Sequence, residues 1–152
     1  MMKLVTRTRI RVNRTGACWL IRRFLDPEAE FLFVPAEQVA ELQAASGATG
    51  FDAPGATYPH CDSNGRCSFA ALVHQRLAED SILLEMARIV QAADFKEQLD
   101  THPAARGLEL ISRGFPQITS TDDETALRAS FLYDALYASI KESEVKSDLS
   151  VR

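Results

Sequence analysis

A chain of 152 residues with 46% hydrophobic and 25% charged residues has the composition of an ordinary globular protein. This length accommodates one domain with a real core and is short for two. The longest candidate apolar run, Gly16–Ile21, is closed by Arg22 and Arg23 and falls well short of the roughly 20 residues that span a bilayer. We therefore expect no membrane insertion.

The same apolar run does not suit an export signal. Its core is short, no small-residue cleavage site follows, and the arginine pair stands after the run instead of before it. Three cysteines, Cys18, Cys61 and Cys67, are an odd number without a disulfide framework, which is typical of a reducing compartment. We expect a cytoplasmic protein.

Basic residues are concentrated at the start of the chain, although the net charge is -4. Seven of them precede the first acid, Asp26: Lys3, Arg7, Arg9, Arg11, Arg14, Arg22 and Arg23. Leu4–Val12 is predicted to form a strand, in which Arg7, Arg9 and Arg11 share one face. Such a strand is either a solvated edge that protects the sheet from aggregation or part of an anion site.

The junction between this strand and the helix predicted over Gly16–Leu25 favours the anion site. A helix start attracts anions, because its first N–H groups lack partners and its dipole is positive there. Asn13 or Thr15 is expected to cap this helix, with Arg14 beside it.

The first half of the chain predicts a βαβαβ order. The first helix ends at Asp26, because the residue before a proline leaves the helical region. Phe31–Val34 is predicted to be a buried strand, Pro35 opens a second helix that stops at Gly47, and Thr49–Asp52 returns as a third strand. This order favours a parallel sheet with right-handed crossovers. The loop that follows, 53–66, carries His60 and Cys61.

The second half predicts about four helices. The first covers Ser68–Ala78, and Asp80 or Ser81 caps the next. Pro103 opens a third, which stops at Gly114. The fold class is therefore mixed α/β, a small sheet portion followed by a helical half, in one domain over residues 1–142.

The last helix, predicted over Asp122 to about Glu142, starts with a capping box of Thr121 and Glu124. It is apolar over much of its circumference: Leu127, Phe131, Leu132, Tyr133, Ala135, Leu136, Tyr137 and Ile140. Either the domain covers these side chains, or the surplus forms a homodimer face. A frayed polar tail is expected over 143–152.

Two sets of side chains are candidates for metal binding. His60, Cys61, Cys67 and His74 are zinc ligand types, but their spacing matches no standard zinc motif, so incidental cysteines are favoured. Gln91 and Asp94 stand three residues apart on a helix and can face one cavity, where the carboxylate would accept from an arginine or bind a cation. Alternatively, Asp94 bonds nearby backbone at a helix end.

The sequence also argues against several functions. It contains no phosphate-binding glycine loop, no dinucleotide fingerprint, no G-x-S-x-G elbow and no cysteine with an obvious His/Asn companion. Direct nucleic-acid binding is disfavoured, because the basic run has no interleaved aromatic residue beyond Trp19 and the rest of the chain is acidic.

Several separated segments carry a family resemblance. These are RVNRTGACWLIRRFLDPEAEFLFVP, GFDAPGATYPH, GRCSF, ARIVQAAD, AARGLELISRGFP and FLYDALYA. From about Val5 to Ala138 the chain resembles the C-terminal domain of ChrB-type chromate resistance proteins. Longer relatives carry a preceding domain, so we expect a stand-alone copy. The resemblance implies a role in chromate resistance, as a chromate sensor or as an accessory to chromate efflux.

The resemblance also implies site residues. Recurrent polar positions of the family fall on Asn13, Arg14, Trp19, Arg22, Arg23, Asp26, His60, Cys67 and Asp94. Chromate is a tetrahedral dianion like sulfate, which calls for arginine forks and backbone N–H donors. Because chromate is a strong oxidant, its reaction with a thiol, Cys18 or Cys67, would distinguish it from sulfate. The expected oxyanion site comprises Asn13, Arg14, Arg22, Arg23 and His60.

A divalent metal is the alternative cofactor, with His60 and Asp94 as ligands and Gln91 and Cys67 nearby. The family pattern has an acid at position 13, a glutamate at 70 and a histidine at 91, where this chain has Asn13, Ala70 and Gln91. If those are metal ligands in relatives, this chain lacks up to three of them. The alternative functions are a metal- or thiol-dependent oxidoreductase that uses His60, Cys67 and Asp94, and a dimerisation module.

Overall fold

A three-stranded parallel sheet forms the first part of the computed structural model, which describes residues 1–151. Strand β1 (Lys3–Arg7) lies in the centre, between β2 (Glu30–Val34) and β3 (Thr49–Gly50). Leu4, Val5 and Thr6 of β1 are all buried, as is typical of a strand covered on both faces. Helices α1 (Val12–Leu20) and α2 (Ala36–Ser46) connect the strands, so the predicted βαβαβ order and its parallel pairing are confirmed.

The predicted first strand, Leu4–Val12, is wrong in its second half. The chain leaves the sheet after Arg7, turns through Arg9 in the left-handed region (φ 59), and starts α1 at Val12. Long-range bonds hold this turn: the Ile10 N–H donates to Asp122 Oδ1 at 2.9 Å. The alternation of arginine with apolar residues continues past the strand, but these contacts bend the backbone. The three arginines therefore do not share a strand face.

Helix α1 is the centre of the molecule. All nine of its residues are buried, and the chain continues from it as a π-helical turn over Ile21–Leu25 that ends at Asp26, as predicted. Gly16 allows close packing, because a Cβ there would lie 3.1 Å from the Phe69 ring and 3.4 Å from the Tyr133 ring. A larger residue at this position would push α1 away from its neighbours.

In the second half of the described chain, up to residue 151, there are four α-helices, as predicted: α3 (Ser68–Arg76), α4 (Ser81–Asp94), α5 (Ala105–Ile118) and α6 (Asp122–Val151). Asp80 caps α4 by accepting from the N–H groups of Ile82 and Leu83. Helix α5 runs past the predicted stop at Gly114 and contains Pro116. A proline so close to the end of a helix removes only one late backbone bond.

Helix α6 is longer than predicted. The expected frayed tail after Glu142 is instead helical to Val151, since this segment has neither Gly nor Pro. Lys146 pairs with Glu142 at 2.8 Å, and the Ser81 hydroxyl donates to Glu144 at 2.8 Å. No helix in the described part of the chain is both long enough and apolar enough to cross a membrane.

Candidate functional site

A polar cavity of about 460 Å³ opens where β1 ends and α1 begins. The loop after β3, the end of α4 and helix α5 complete its wall. Ligand sites of open α/β sheets commonly lie at the carboxyl ends of the strands, as this cavity does. The ionisable side chains that line it are Arg7, Arg11, Arg14, Asp52, His60, Asp94, Lys96, Glu109 and Arg113.

Asp52 is the most strongly held of these side chains. It is 1% exposed and follows β3 in a left-handed conformation (φ 51). Arg14 Nη1 donates to its Oδ2 at 3.1 Å, and Arg7 Nε donates to its backbone carbonyl at 2.7 Å. Burial alone would raise the pKa of Asp52, but the bond from His60 and the two guanidinium groups outweigh burial and lower it. Asp52 is therefore an anion whose oxygens are already bonded.

His60 is oriented by this buried carboxylate. Its Nδ1 lies 2.9 Å from Asp52 Oδ1 and 3.6 Å from Asp94 Oδ2, and its ring meets Phe95 edge-on. The hydrogen bond to Asp52 raises the pKa of His60. Because Nδ1 faces the two carboxylates, Nε2 is the ring nitrogen left for a ligand.

Asp94, the last residue of α4, behaves differently from Asp52. Burial, and then the charge of Asp52, raise its pKa to about 6. Its Oδ2 is buried without a hydrogen-bond partner in the described structure, since His60 Nδ1 at 3.6 Å is too far to bond. Asp94 is thus a carboxyl group that gains or loses a proton close to neutral pH.

Arg14, the third residue of α1, has one hydrogen-bond donor, Nε, that is not used in the described structure. The residue is 9% exposed. Its side chain donates from Nη1 to Asp52 and from Nη2 to the Arg9 carbonyl at 3.0 Å, and its buried Nε has no partner among the described residues. Burial lowers its pKa, although Asp52 opposes the shift. Arg11 precedes α1, and in the described structure no side chain caps this helix. The cavity thus contains a buried guanidinium beside a positive helix end.

The two residues expected to cap α1 bond elsewhere, so that prediction is wrong. Asn13 accepts from the Phe69 N–H at 3.0 Å and donates to the Ser68 hydroxyl at 2.6 Å, which caps α3 instead. The Thr15 hydroxyl bonds the Arg11 carbonyl and the Tyr133 hydroxyl at 2.8 Å each. Asn13 still lines the cavity, but its amide is engaged in holding α1 to α3.

Arg22 and Arg23, predicted to act with Arg14, do not line this cavity. The Arg22 guanidinium lies 4.7 Å above the ring of Phe31, and Arg23 pairs with Asp134 at 3.3 Å. The structure therefore brings together Asn13, Arg14 and His60 of the predicted oxyanion set, and places the arginine pair elsewhere.

The structure also brings together only some of the predicted metal ligands. His60 and Asp94 face each other, and Asp52 completes the one group of three ligand atoms within 4.8 Å of one another in residues 1–151. Gln91 accepts from the Cys67 N–H at 3.1 Å and donates to Gln98. The zinc set that would include His74 is not assembled in that part of the chain.

A cation fits this group only in part. Asp94 Oδ2 is available, whereas the Asp52 oxygens are bonded by His60 and two arginines. A divalent ion would have to replace the His60–Asp52 bond and would lie beside positive charge, which weakens its binding.

Two of the three cysteines are chemically protected. Cys18 and Cys67 are buried, and burial raises the pKa of Cys18 to about 12 and that of Cys67 further still. Cys61 is exposed. The two thiols named as candidates for redox discrimination of chromate are therefore held protonated and away from solvent.

Sequence reasoning missed several residues of the cavity, above all Asp52, and left Arg7 out of the expected oxyanion set although it placed Arg7 on the basic strand. Arg7 is the last residue of β1, and Asp52 follows β3 by two residues, so both lie at the carboxyl ends of parallel strands, where such sheets place their ligands. The place of Asp52 at the carboxyl end of a predicted parallel strand could therefore have identified this residue from the sequence. Lys96 and Arg113 line the cavity only because of how α4 and α5 pack, so no local sequence pattern could have predicted them.

The fold and the cavity together define a mixed α/β domain with a polar cavity, lined by charged side chains of both signs, at the start of its central helix. A family model described as ChrB, C-terminal domain, matches residues 4–140, and the chain belongs to this family. It is 33% identical over 135 residues to Protein ChrB of Cupriavidus metallidurans (strain CH34). That match covers 87% of this chain and 39% of the relative, so the chain spans about two-fifths of the length of that protein. No solved structure matches the chain.

Proposed function

We propose that this domain is a cytoplasmic chromate-resistance module that binds chromate, or a related tetrahedral oxyanion, in the cavity at the start of α1. Membership of the ChrB family supports the biological role, which is that of a sensor or an accessory to chromate efflux. Three free cysteines are consistent with a reducing compartment. The single observation that carries the proposal is Arg14, a buried guanidinium with an unpaired Nε in the wall of the cavity.

The surroundings of Arg14 suit a small dianion. Arg11 and Lys96 line the same cavity, and the uncapped start of α1 offers backbone N–H groups. Asp52 does not repel an anion strongly, because Arg7 and Arg14 neutralise it. The proposed ligand therefore bonds Arg14 and Arg11 and approaches His60 from the Nε2 side.

Calorimetric titration with chromate, and with sulfate as the comparison anion, tests the proposal. Arg11→Ala removes an exposed charge and should weaken chromate binding about 5- to 30-fold, the range of a charged hydrogen bond partly open to water. Arg23→Ala is the matched control, since Arg23 follows the same helix but lies outside the cavity. Equal affinity in wild type and Arg11→Ala would refute this placement, and loss in Arg23→Ala would restore the site predicted from sequence.

A metal-dependent oxidoreductase acting in chromate detoxification is the second candidate. The observation in its favour is the group of Asp52, His60 and Asp94, with atoms within 4.8 Å. A divalent ion there would supply Lewis-acid or redox chemistry, while His60 and Asp94 would hold it. Elemental analysis after dialysis against Mn²⁺, Fe²⁺ or Zn²⁺ tests this candidate, with Asp94→Asn as the variant. Stoichiometric metal in wild type that is lost in Asp94→Asn supports it, and metal well below one per chain in both rejects it.

A further inference from the structure

The outer side of α6 carries an apolar stripe. Its members, here called the outer stripe, are Leu127, Phe131, Ala138, Val145 and Leu149. At about 100° per residue, these five positions fall within an arc of about 40° on the helix. They run about 33 Å along the axis, at about 1.5 Å per residue.

The fold leaves this stripe uncovered. Phe131 is 82% exposed, Leu127 70% and Leu149 64%. The helix packs on the domain through its opposite side, where Ala129 and Tyr133 are buried. A row of exposed large apolar side chains on one helix face is a typical binding surface, because exposing it to water is unfavourable.

The spacing of the stripe indicates which partner covers it. Successive members are separated by four, seven, seven and four residues, so the pattern reads the same in both directions about Ala138. If a second α6 lies antiparallel, Leu127 falls opposite Leu149, and Phe131 falls opposite Val145. The small residue Ala138 then meets its own copy on the two-fold axis and allows the backbones to approach. Such a surface is self-complementary, as a two-fold interface requires.

One charge pair beside the stripe also favours the antiparallel arrangement. Asp134 and Lys141 lie on the same flank of the stripe, four residues before Ala138 and three residues after it. In an antiparallel pair, Lys141 of one copy therefore lies on the same flank as Asp134 of the other copy and within about one residue of its level along the axis. In a parallel pair the two side chains would lie on opposite flanks, about 10 Å apart along the helices.

We propose that α6 pairs antiparallel with the α6 of a second copy through the outer stripe and forms a two-fold homodimer. The two domains then lie on the outer sides of the helix pair, and both cavities stay open, since no residue of α6 lines them. The family match ends at residue 140, so Val145 and Leu149 lie beyond the part of the chain that it covers.

Sedimentation velocity between about 1 µM and about 500 µM, the range of transient complexes, measures the association. Wild type should form dimers with rising concentration, and Phe131→Asp should stay monomeric. Leu110→Asp is the matched control, because Leu110 is 61% exposed on α5 and should not affect the dimer. A wild type that is monomeric throughout, or a Phe131→Asp variant that dimerises like wild type, would overturn the proposal.

Cysteine cross-linking in a Cys61→Ser background tests the orientation. Ala138→Cys should form a disulfide-linked dimer under mild oxidation, and Phe131→Cys mixed with Val145→Cys should give the mixed dimer. Phe131→Cys alone should not cross-link, because its two copies would lie about 21 Å apart along the helices. Efficient cross-linking of Phe131→Cys with itself would mean a parallel pair and would refute the antiparallel arrangement.

Discussion

Replacing Asp94 with Asn should stabilise the protein at alkaline pH and not at acid pH. Burial raises the pKa of this carboxyl group from 3.8 to about 6. A raised carboxyl pKa means that ionisation costs stability in the folded state, and that the cost disappears as pH falls through about 6 toward 4. At about 1.4 kcal/mol per pKa unit, the ionised Asp94 lowers the free energy of unfolding by about 3 kcal/mol at pH 8.

Asn keeps the shape of the side chain and removes the charge, so the variant should gain about 1 to 3 kcal/mol at pH 8. For a chain of this size that gain raises Tm by about 3 °C per kcal/mol. Urea unfolding of wild type and Asp94→Asn at pH 8 and at pH 4 measures the difference, and Glu97→Gln, which removes an exposed carboxylate, is the control. A gain that is equal at both pH values, or absent at pH 8, would show that Asp94 is not a buried carboxylate with a raised pKa.

Two further predictions concern other parts of the core. Asn13→Ala should lower the free energy of unfolding by about 1 to 3 kcal/mol, because it leaves the buried Phe69 N–H without its acceptor. Urea unfolding measures this loss. A loss below about 0.5 kcal/mol would contradict the role of Asn13 in joining α1 to α3. In native protein a thiol reagent such as Ellman's reagent should modify Cys61 quickly, and Cys18 and Cys67 only after unfolding, because burial protects both. Rapid modification of all three thiols in folded protein would contradict that burial.

The sheet and the helices could be predicted because their signals are local. Asp26 before Pro27, Pro35 and Gly47 mark helix ends through their own backbone preferences, and the structure follows them. The failure at Arg9 has a long-range cause. The alternation of residue types extends past Arg7, but bonds to residues more than a hundred positions away decide where the strand ends.

The site was less predictable, because its members meet only through tertiary packing. Arg14 and Arg22 look like one basic cluster in sequence, yet eight residues of helix separate them by about 12 Å along the axis. Asp52 had no local pattern beyond its place after a strand. Its importance arises from bonds to Arg7, Arg14 and His60, which come from three different elements.

Two carboxyl groups in a cavity proposed to bind a dianion need a physical reason. Asp52 keeps Arg14 and His60 in place, and its charge is neutralised by the same groups that it orients. Asp94 has no such partner at its Oδ2, and its pKa of about 6 allows it to take up a proton when an anion arrives nearby. A bound dianion would raise the pKa of Asp94 and of His60 further, because both gain stability in the protonated form beside negative charge. The proposed anion binding would therefore be coupled to proton uptake, and by linkage the affinity for the anion would fall as pH rises above about 6.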